Sequence, residues 1–264
     1  LIVGLLSNGH VLIEGVPGVA KTVTAKLFAK CLKTNFSRIQ FTPDLMPSDV
    51  LGTNIFNTKL SEFEFKKGPV FSNIVLIDEI NRAPAKTQAA LFEVMEERQV
   101  TIDGTRHQLQ DPFMVLATQN PVEQEGTYAL PEAQLDRFMF NVVLDYPGYE
   151  EELQIVKQTT FGESAILNTV MSSEDILRYQ ELIRRIPVSD NVLEYVVGFV
   201  AKTRPDSERA DPEMTKYIEW GAGPRASQFM LLASKCHAAI NGKYSPDIED
   251  VKAIMKPVLR HRLV

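Results

Sequence analysis

The chain has 264 residues, of which 44% are hydrophobic and 23% charged, as expected for a folded globular protein with an ordinary apolar core. Its formal net charge of −6 argues against general nucleic-acid binding, which favours basic surfaces. Cys31 and Cys236 lie far apart among apolar neighbours, so we expect a buried, reduced pair and neither a disulfide framework nor a zinc site. No apolar run reaches membrane-spanning length and no signal peptide is visible, so the default expectation is a cytoplasmic location.

The first half of the chain alternates short apolar runs with helical patterns. Five runs predict strands: residues 10–15, 37–42, 73–79, 113–119 and 138–145. Most of these runs are continuously apolar, which is typical of parallel strands buried on both faces. Helical patterns over 21–32 and 86–99 lie between them. This alternation predicts a three-layer α/β domain with a mostly parallel, five-stranded sheet.

From Pro147 onward the patterns predict helices only. Two of these helices have N-cap signals, because Ser172 and Asp247 are each followed three residues later by an aspartate. We therefore predict two domains, an α/β core over residues 1–146 and a small, all-helical domain over residues 147–264. Trp220 and the apolar stripe FMLLASKC are expected to pack in the core.

The stretch GVPGVAKT, residues 15–22, matches the phosphate-binding pattern G-x-x-x-x-G-K-[ST] except at Ala20, where the pattern has its last glycine. It follows one predicted strand and opens one predicted helix, so main-chain N–H groups of the loop and the positive end of the helix dipole can hold a phosphate. Lys21 would reach the β- and γ-phosphates of ATP, and Thr22 would bind Mg²⁺. The alternative is a chance turn rich in glycine and proline. The predicted nucleotide-binding residues are Gly15, Val16, Pro17, Gly18, Val19, Ala20, Lys21 and Thr22.

The alanine in this loop raises the question whether the loop can still bind phosphate. The residue before the lysine lies where the loop merges into the helix, so we expect Ala20 to have a negative φ, at which a methyl group costs little. The sequence therefore predicts a working loop.

The apolar run IVLID leads into two adjacent carboxylates, Asp78 and Glu79. At the carboxyl end of a parallel strand beside a phosphate loop, Asp78 would hold the Mg²⁺ shell and Glu79 would polarise the attacking water as a general base. The alternative is a pair of solvated loop carboxylates. Asn120 ends another predicted strand and would orient the water or contact the γ-phosphate, although an Asn-Pro pair is more often only a turn.

Two arginines are further candidates. Arg137 precedes the last predicted strand and Arg225 opens a helix in the second half. Either guanidinium could stabilise charge on the γ-phosphate, and an arginine supplied by a neighbouring subunit accelerates related reactions by roughly 10³–10⁵. Surface arginines are common, so each assignment is a hypothesis. Four histidines lack metal-ligand spacing; we expect His10 at the edge of a strand and the others on the surface or satisfied in the core.

Several segments together resemble the MoxR family of AAA+ ATPases, in content and in order, over nearly the whole chain. They are GVPGVAKT, FTPDLMPSD, GPVFSNIVLIDEINRAPAKTQAALFEVMEERQVTIDG, LATQNPVEQEGTYALPEAQLDRF and GAGPRAS. The resemblance implies a P-loop NTPase fold of the helix-2-insert branch, with a helical lid after the core. It also implies the site roles: Gly15–Thr22 as Walker A, Asp78 and Glu79 as Walker B, Asn120 as sensor 1, Arg137 as the arginine finger and Arg225 as sensor 2. An alanine at the position of Ala20 is usual in that family.

Two inserted hairpins are also implied, over residues 51–69 within the second helix and 98–112 before sensor 1. The Asp-Gly pair in TIDGTR independently predicts a tight hairpin turn in the second segment. The first segment could instead be a plain surface excursion.

The resemblance further implies an ATP-hydrolysing ring, hexameric, that uses ATP and Mg²⁺ for chaperone-like remodelling, maturation or activation of client protein complexes. It implies partners with a von Willebrand factor A domain. An arginine finger on the outer face of a subunit also requires a neighbour on which to act. Arg82 is a second candidate for that role, and displacement of the lid in this branch leaves open whether Arg225 acts on its own nucleotide or on a neighbour's.

Three alternatives are a magnesium-chelatase-like ATPase subunit, a nucleic-acid motor and a nucleotide-dependent scaffold that scarcely hydrolyses ATP. The acidic balance and the lack of a basic aromatic stripe count against the motor. Glu79 beside Asp78 counts against the scaffold.

Overall fold

A parallel, five-stranded sheet forms the centre of the first half of the protein. The computed structural model describes residues 1–59, 61–121, 126–160 and 167–264. The strands of this sheet are β1 (His10–Gly15), β3 (Phe36–Gln40), β6 (Ile74–Asp78), β9 (Met114–Gln119) and β10 (Phe138–Leu144). Their order across the sheet is β10–β1–β9–β6–β3, and the described pairings are all parallel. The predicted strands and the predicted fold class are confirmed.

Helices cover the sheet and make up most of the second half. In chain order they are α1 (Ile2–Leu6), α2 (Lys21–Lys30), α3 (Pro47–Leu51), α4 (Ala85–Glu97), α5 (Glu132–Leu135), α6 (Tyr149–Thr160), α7 (Ser173–Arg185), α8 (Asp190–Lys202), α9 (Pro224–Ile240) and α10 (Ile248–Leu259). None of the described helices is long and apolar enough to cross a membrane.

Both faces of the sheet are buried, which explains why its strands are continuously apolar. On β6, Leu76 packs into one cluster, whereas Val75 and Ile77 pack into the other, because successive side chains of a strand point to opposite faces. The first cluster continues into Met230 of α9 and Val258 of α10. The helical half therefore shares an apolar core with the sheet, and the division at residue 146 stays a prediction.

The predicted helix caps are confirmed. The hydroxyl oxygen of Ser172 accepts a hydrogen bond from the N–H of Asp175 at 3.2 Å, and the Asp175 carboxylate accepts one from the Ser172 N–H at 3.1 Å. Asp247 in the same way accepts hydrogen bonds from the N–H groups of Glu249 and Asp250 at 3.0 and 3.1 Å. Each side chain satisfies N–H groups that the first helical turn leaves without partners.

Both implied hairpins are present. Strands β4 (Gly52–Asn57) and β5 (Glu62–Lys67) pair antiparallel, as do β7 (Gln99–Ile102) and β8 (Thr105–Gln108). In the second hairpin, Asp103 and Gly104 have φ values of 49° and 80°, as a two-residue turn of type I′ requires. Leu60, in the first hairpin, and residues 122–125, in the segment after Asn120, lie outside the described residues.

The two hairpins contact each other and expose aromatic side chains. The side-chain amide of Asn54 donates to the Asp103 carboxylate at 2.5 Å, and the ring of Phe65 stacks on His107 with centroids 4.0 Å apart. Phe63 is 72% exposed and meets the ring of Phe56 edge-on at 5.3 Å. The two hairpins thus form one unit, the hairpin unit, that exposes apolar side chains.

Some local expectations are wrong. The second half is not purely helical, because β11 (Met171–Ser172) pairs in parallel with β2 (Leu32–Lys33), which follows α2. Trp220 is 69% exposed and is not a core residue. Cys236 is buried, and burial raises the pKa of its thiol to about 11, but Cys31 is only half-buried.

His10 is the first residue of β1, at the edge of a strand as predicted, and it is buried there. Its Nδ1 accepts a hydrogen bond from the Val115 N–H at 3.0 Å, so its Nε2 is the donor to the Met95 carbonyl, at 3.3 Å. Burial, reinforced by the charge of Arg98, lowers the pKa of His10 to about 3. His261 is a buried core residue as expected, but it is only partly satisfied: its Nε2 lies 3.0 Å from the carbonyl of Phe138, whereas its buried Nδ1 has no hydrogen-bond partner among the described residues. Burial lowers its pKa to about 3.

Candidate functional site

The carboxyl ends of neighbouring parallel strands converge on one cavity of about 510 Å³. Its walls come from the loop after β1, from β3 and from the ends of β6 and β9. Residues 17–22 of the loop line it, together with Asp78, Glu79 and Asn120. Three motifs that are separated by 56 positions (Thr22 to Asp78) and 41 positions (Glu79 to Asn120) in the sequence therefore share one site because of the strand order.

The loop has the geometry that close approach to a ligand requires. A Cβ atom on Gly15 would lie 2.5 Å from the carbonyl oxygen of Leu144, so only glycine fits beside the end of β10. Gly18 has a φ of 88°, which favours glycine. The Lys21 ammonium donates to the carbonyls of Gly15 and of Gln119, the latter at 3.2 Å, and thus lies across the loop between β1 and β9.

The expectation for Ala20 is wrong. It has a φ of 57° and a ψ of 25°, a left-handed conformation, at the N-cap of α2. A methyl group at such a φ costs about 1–2 kcal/mol relative to the right-handed region. The loop therefore has the backbone conformation that a glycine would adopt. Ala20 makes this conformation less stable, whereas the prediction of a negative φ implied no such cost.

Thr22 and Asp78 lie side by side, as a shared metal ion requires. The hydroxyl of Thr22 donates to Asp78 Oδ1 at 2.8 Å, and the Thr118 hydroxyl reaches the same oxygen at 3.3 Å. Asp78 is only 3% exposed. Because a hydroxyl and a carboxylate oxygen at the edge of a phosphate cavity are the ligands that Mg²⁺ prefers, these residues fit that ion.

Glu79 stands at the cavity wall with its carboxylate held from two sides. Its Oε2 accepts a hydrogen bond from the Gln40 side-chain amide at 2.8 Å and lies 3.1 Å from Nε of Arg82. Its main-chain N–H donates to the Thr118 hydroxyl at 3.0 Å, and its φ is 56°. Asn120 is 6% exposed at the end of β9 and lines the same cavity.

Sequence reasoning missed Arg38 and Gln40. Nε of Arg38 lies 2.5 Å from Asp78 Oδ2, and its Nη2 donates to the Gln40 side-chain oxygen at 3.0 Å. The two residues stand two positions apart on β3, so they point to the same face. That alternation is visible in SRIQ, but its meaning depends on β3 lying next to β6, which the sequence did not reveal.

Arg137 and Arg225 do not line this cavity in the described part of the chain. Arg137 precedes Phe138, which pairs with His10 at the first position of β1, whereas the phosphate loop follows the other end of that strand. Six residues at about 3.3 Å each separate the two ends by roughly 20 Å. Arg225 lies near Arg137, because it contacts Asp136 at 3.2 Å. The structure thus brings the loop, Asp78, Glu79 and Asn120 together at the carboxyl ends of the strands. It places these two arginines at the amino ends of the strands.

Comparisons with known proteins establish the family of the chain. Residues 10–140 match the model of the ATPase family associated with various cellular activities (AAA), and residues 213–264 match an AAA lid domain. The chain is 46% identical to Chaperone MoxR1 of Mycobacterium tuberculosis, over all of this chain and 70% of that protein. It is 28% identical to Protein MoxR of Methylorubrum extorquens, over all of this chain and 81% of that protein.

A solved structure shows the same fold. The crystal structure of a candidate ATPase from Cytophaga hutchinsonii has a TM-score of 0.90 and 44% identity, and the match covers all of this chain and 80% of that one. The loop at the end of β1, the paired carboxylates after β6 and these matches lead to one conclusion. The chain belongs to the MoxR family of AAA+ ATPases and is an enzyme that hydrolyses ATP.

Proposed function

We propose that this ATPase works as a ring, hexameric and cytoplasmic, and that it uses ATP hydrolysis for chaperone-like remodelling of partner protein complexes. The observation that carries the proposal is that the candidate groups lie at opposite ends of the parallel strands. The phosphate loop and the carboxylates lie at the carboxyl ends, whereas Arg137 and Arg225 lie at the amino ends. Arg137 lies near the end of β1 that is roughly 20 Å from the phosphate loop of the same subunit, and Arg225 lies beside it, so we infer that both contact a nucleotide across a subunit interface.

Within one subunit, each group has a role that follows from its position. Residues 15–22 bind the phosphates of ATP, with Lys21 neutralising the β- and γ-phosphates. Thr22 and Asp78 hold Mg²⁺, which neutralises charge on the phosphates when it is bound. Glu79 takes the proton of the attacking water, and Asn120 orients that water.

The adjacent subunit supplies positive charge at the opposite side of the γ-phosphate. Arg137 is the finger and Arg225 the second sensor, and both act in trans. Arg82 lies within 3.1 Å of the Glu79 carboxylate and acts on its own subunit by positioning that base.

The hairpin unit is the surface that transmits the motion. Phe63 and Phe56 are exposed on it, and an exposed aromatic pair suits contact with an apolar segment of a client. The relative from M. tuberculosis is named a chaperone, which supports a protein client. A partner with a von Willebrand factor A domain follows from the family resemblance.

Mixed rings test the shared site. Glu79→Gln removes the base but keeps the arginines, and Arg137→Ala removes the finger but keeps the base. Each variant alone should be nearly inactive. In a 1:1 mixture about a quarter of the junctions combine an intact base with an intact finger, so about a quarter of the wild-type rate should return. A mixture that stays inactive, although two differently tagged variants co-purify in the same rings, would refute the arrangement in trans.

Nucleotide binding and client binding need separate tests. Lys21→Ala should abolish binding of a non-hydrolysable ATP analogue, and unchanged affinity would contradict the loop assignment. Glu79→Gln, loaded with ATP, should retain client proteins that the Lys21→Ala variant does not retain. Salt-sensitive stimulation of ATP hydrolysis by DNA would instead indicate a nucleic-acid motor.

A further inference from the structure

A cluster of five charged side chains lies at the amino edge of the sheet, where the helical half meets the core. It consists of Glu96, Asp136, Arg137, Arg225 and Arg262, and we refer to it as the arginine cluster. Glu96 lies in the last turn of α4, and each oxygen of its carboxylate contacts a different arginine. Its Oε1 is 2.7 Å from Nη2 of Arg225, and its Oε2 is 3.4 Å from Nε of Arg137.

The two carboxylates of the cluster differ in their surroundings. Asp136 is tied to Arg262 at 2.6 Å, and the Arg262 side chain is only 2% exposed, so Asp136 is fixed to the interior. Glu96 has a side chain that is 43% exposed, and it reaches the cluster from the end of a helix. Asp136 therefore acts as an anchor, whereas Glu96 is a contact that an incoming anion can replace.

The charge of the cluster favours such an anion. Three guanidinium groups face two carboxylates, so one positive charge is left over. Nε of Arg137 is buried and, among the described residues, makes only the 3.4 Å ion pair with Glu96, which is no hydrogen bond. A phosphate oxygen would supply the hydrogen bond that this N–H lacks, because phosphate and carboxylate present similar acceptors to arginine.

We propose that Glu96 is a positioning residue that holds Arg137 and Arg225 side by side until the γ-phosphate of the adjacent subunit takes its place. This inference rests on the proposed action of the two arginines in trans. Two neighbouring guanidinium groups repel each other, so without a shared counter-charge they separate and no longer present a common binding surface. Because half-exposed ion pairs are weak, a bound triphosphate can displace the carboxylate.

The matched test compares Glu96→Gln with Glu97→Gln, the same change one residue along the same helix, where the side chain is exposed. Glu96→Gln keeps the shape of the side chain and removes its charge. We expect kcat to fall about 10-fold while KM for ATP changes little, because the phosphate loop of the same subunit is intact. Glu97→Gln should match the wild type in both constants.

If Glu96 had a purely structural role, mixing Glu96→Gln subunits with another variant would restore no activity. Glu96→Gln subunits have an intact base and a misplaced finger, so mixing them with Glu79→Gln subunits should raise the rate as the mixture of Arg137→Ala with Glu79→Gln does. Glu96→Asp, which keeps the charge on a shorter side chain, should recover part of the lost kcat. Thermal unfolding of each variant serves to show that the fold is intact.

The outcomes separate the two proposals. Equal rates for Glu96→Gln and Glu97→Gln would overturn the role of Glu96. The role is also overturned if Glu96→Gln is impaired and mixing does not restore it, although mixing restores Arg137→Ala. If Arg137→Ala is not restored either, the shared site itself is wrong and the inference about Glu96 falls with it.

Discussion

Arg262 links the helical half of the protein to the sheet, and we expect its replacement to lower the free energy of unfolding substantially. Its side chain is 2% exposed and lies 2.6 Å from Asp136 Oδ1. It also donates to the carbonyls of Phe138 at 2.6 Å, Asp136 at 2.8 Å and Val258, and its guanidinium lies 5.3 Å from the centre of the Phe229 ring. One buried cation thus satisfies acceptors from β10, from α10 and from the residue that anchors the arginine cluster.

Arg262→Met retains most of the side-chain volume and removes the charge with all its donors. Breaking a buried ion pair from one side costs about 3–5 kcal/mol, and an unsatisfied buried acceptor about 1–3 kcal/mol. Asp136 is 28% exposed and keeps its contact with Arg225, so solvent and that partner offset part of the loss. We therefore expect the free energy of unfolding to fall by about 3 kcal/mol.

Urea unfolding followed by circular dichroism measures this loss, with Arg260→Met as the control. Arg260 lies two residues earlier and is only half-buried, so its replacement should change stability by about 0.5 kcal/mol or less. Arg262→Lys should fall between the two, because an ammonium cannot reach all the acceptors of the guanidinium. If Arg262→Met unfolds within about 1 kcal/mol of the wild type, the side chain is not the tie that the contacts indicate.

Three other changes test separate parts of the structure. Ser172→Ala should lower the free energy of unfolding by about 1 kcal/mol through loss of the helix cap, whereas Ser173→Ala, at the next position, should be nearly neutral in the same urea titration. The pKa values of His10 and His261 are lowered from 6.5 to about 3, so both are neutral in the folded protein and the unfolded chain binds their protons first. Above pH 6.5 the two histidines should therefore cost no stability, and as the pH drops from 6.5 toward 3 the free energy of unfolding should fall by about 1.4 kcal/mol per pH unit for each histidine. A glutamine in place of either histidine should make this pH dependence less steep. Arg38→Gln should lower the Mg²⁺ concentration needed to half-saturate the ADP complex by about 3- to 10-fold in calorimetric titration, because the guanidinium and the metal compete for one carboxylate; an unchanged value would contradict this competition.

The elements that sequence reasoning predicted correctly depend on neighbours along the chain. The strands followed from continuous apolar runs, the caps of α7 and α10 from an acidic residue three positions after the cap, and the second hairpin from an Asp-Gly pair. The meeting of the loop with Asp78 and Asn120 also follows from local order, since parallel strands bring their carboxyl ends to the same edge of a sheet.

The incorrect predictions concern properties that packing decides. Ala20 was expected to have a negative φ, but the path of the loop into α2 imposes a positive one. Trp220 was assigned to the core because it is apolar, but the fold leaves it on the surface. The burial of His10 was not predicted, because it depends on β9 and β10 enclosing β1 from both sides, and the order of strands cannot be read from a single strand.

The sequence by itself determined the phosphate loop, the carboxylate pair after the third strand of the sheet and the family to which they belong. It did so because these groups occupy fixed spacings within single strand-loop-helix units. Only the tertiary structure decided that Arg38 reaches Asp78 and that Glu96 holds Arg137 and Arg225 at the far edge of the sheet. Those contacts join residues about 40 to 130 positions apart, and they exist only once the strand order and the packing of the lid fix which side chains meet.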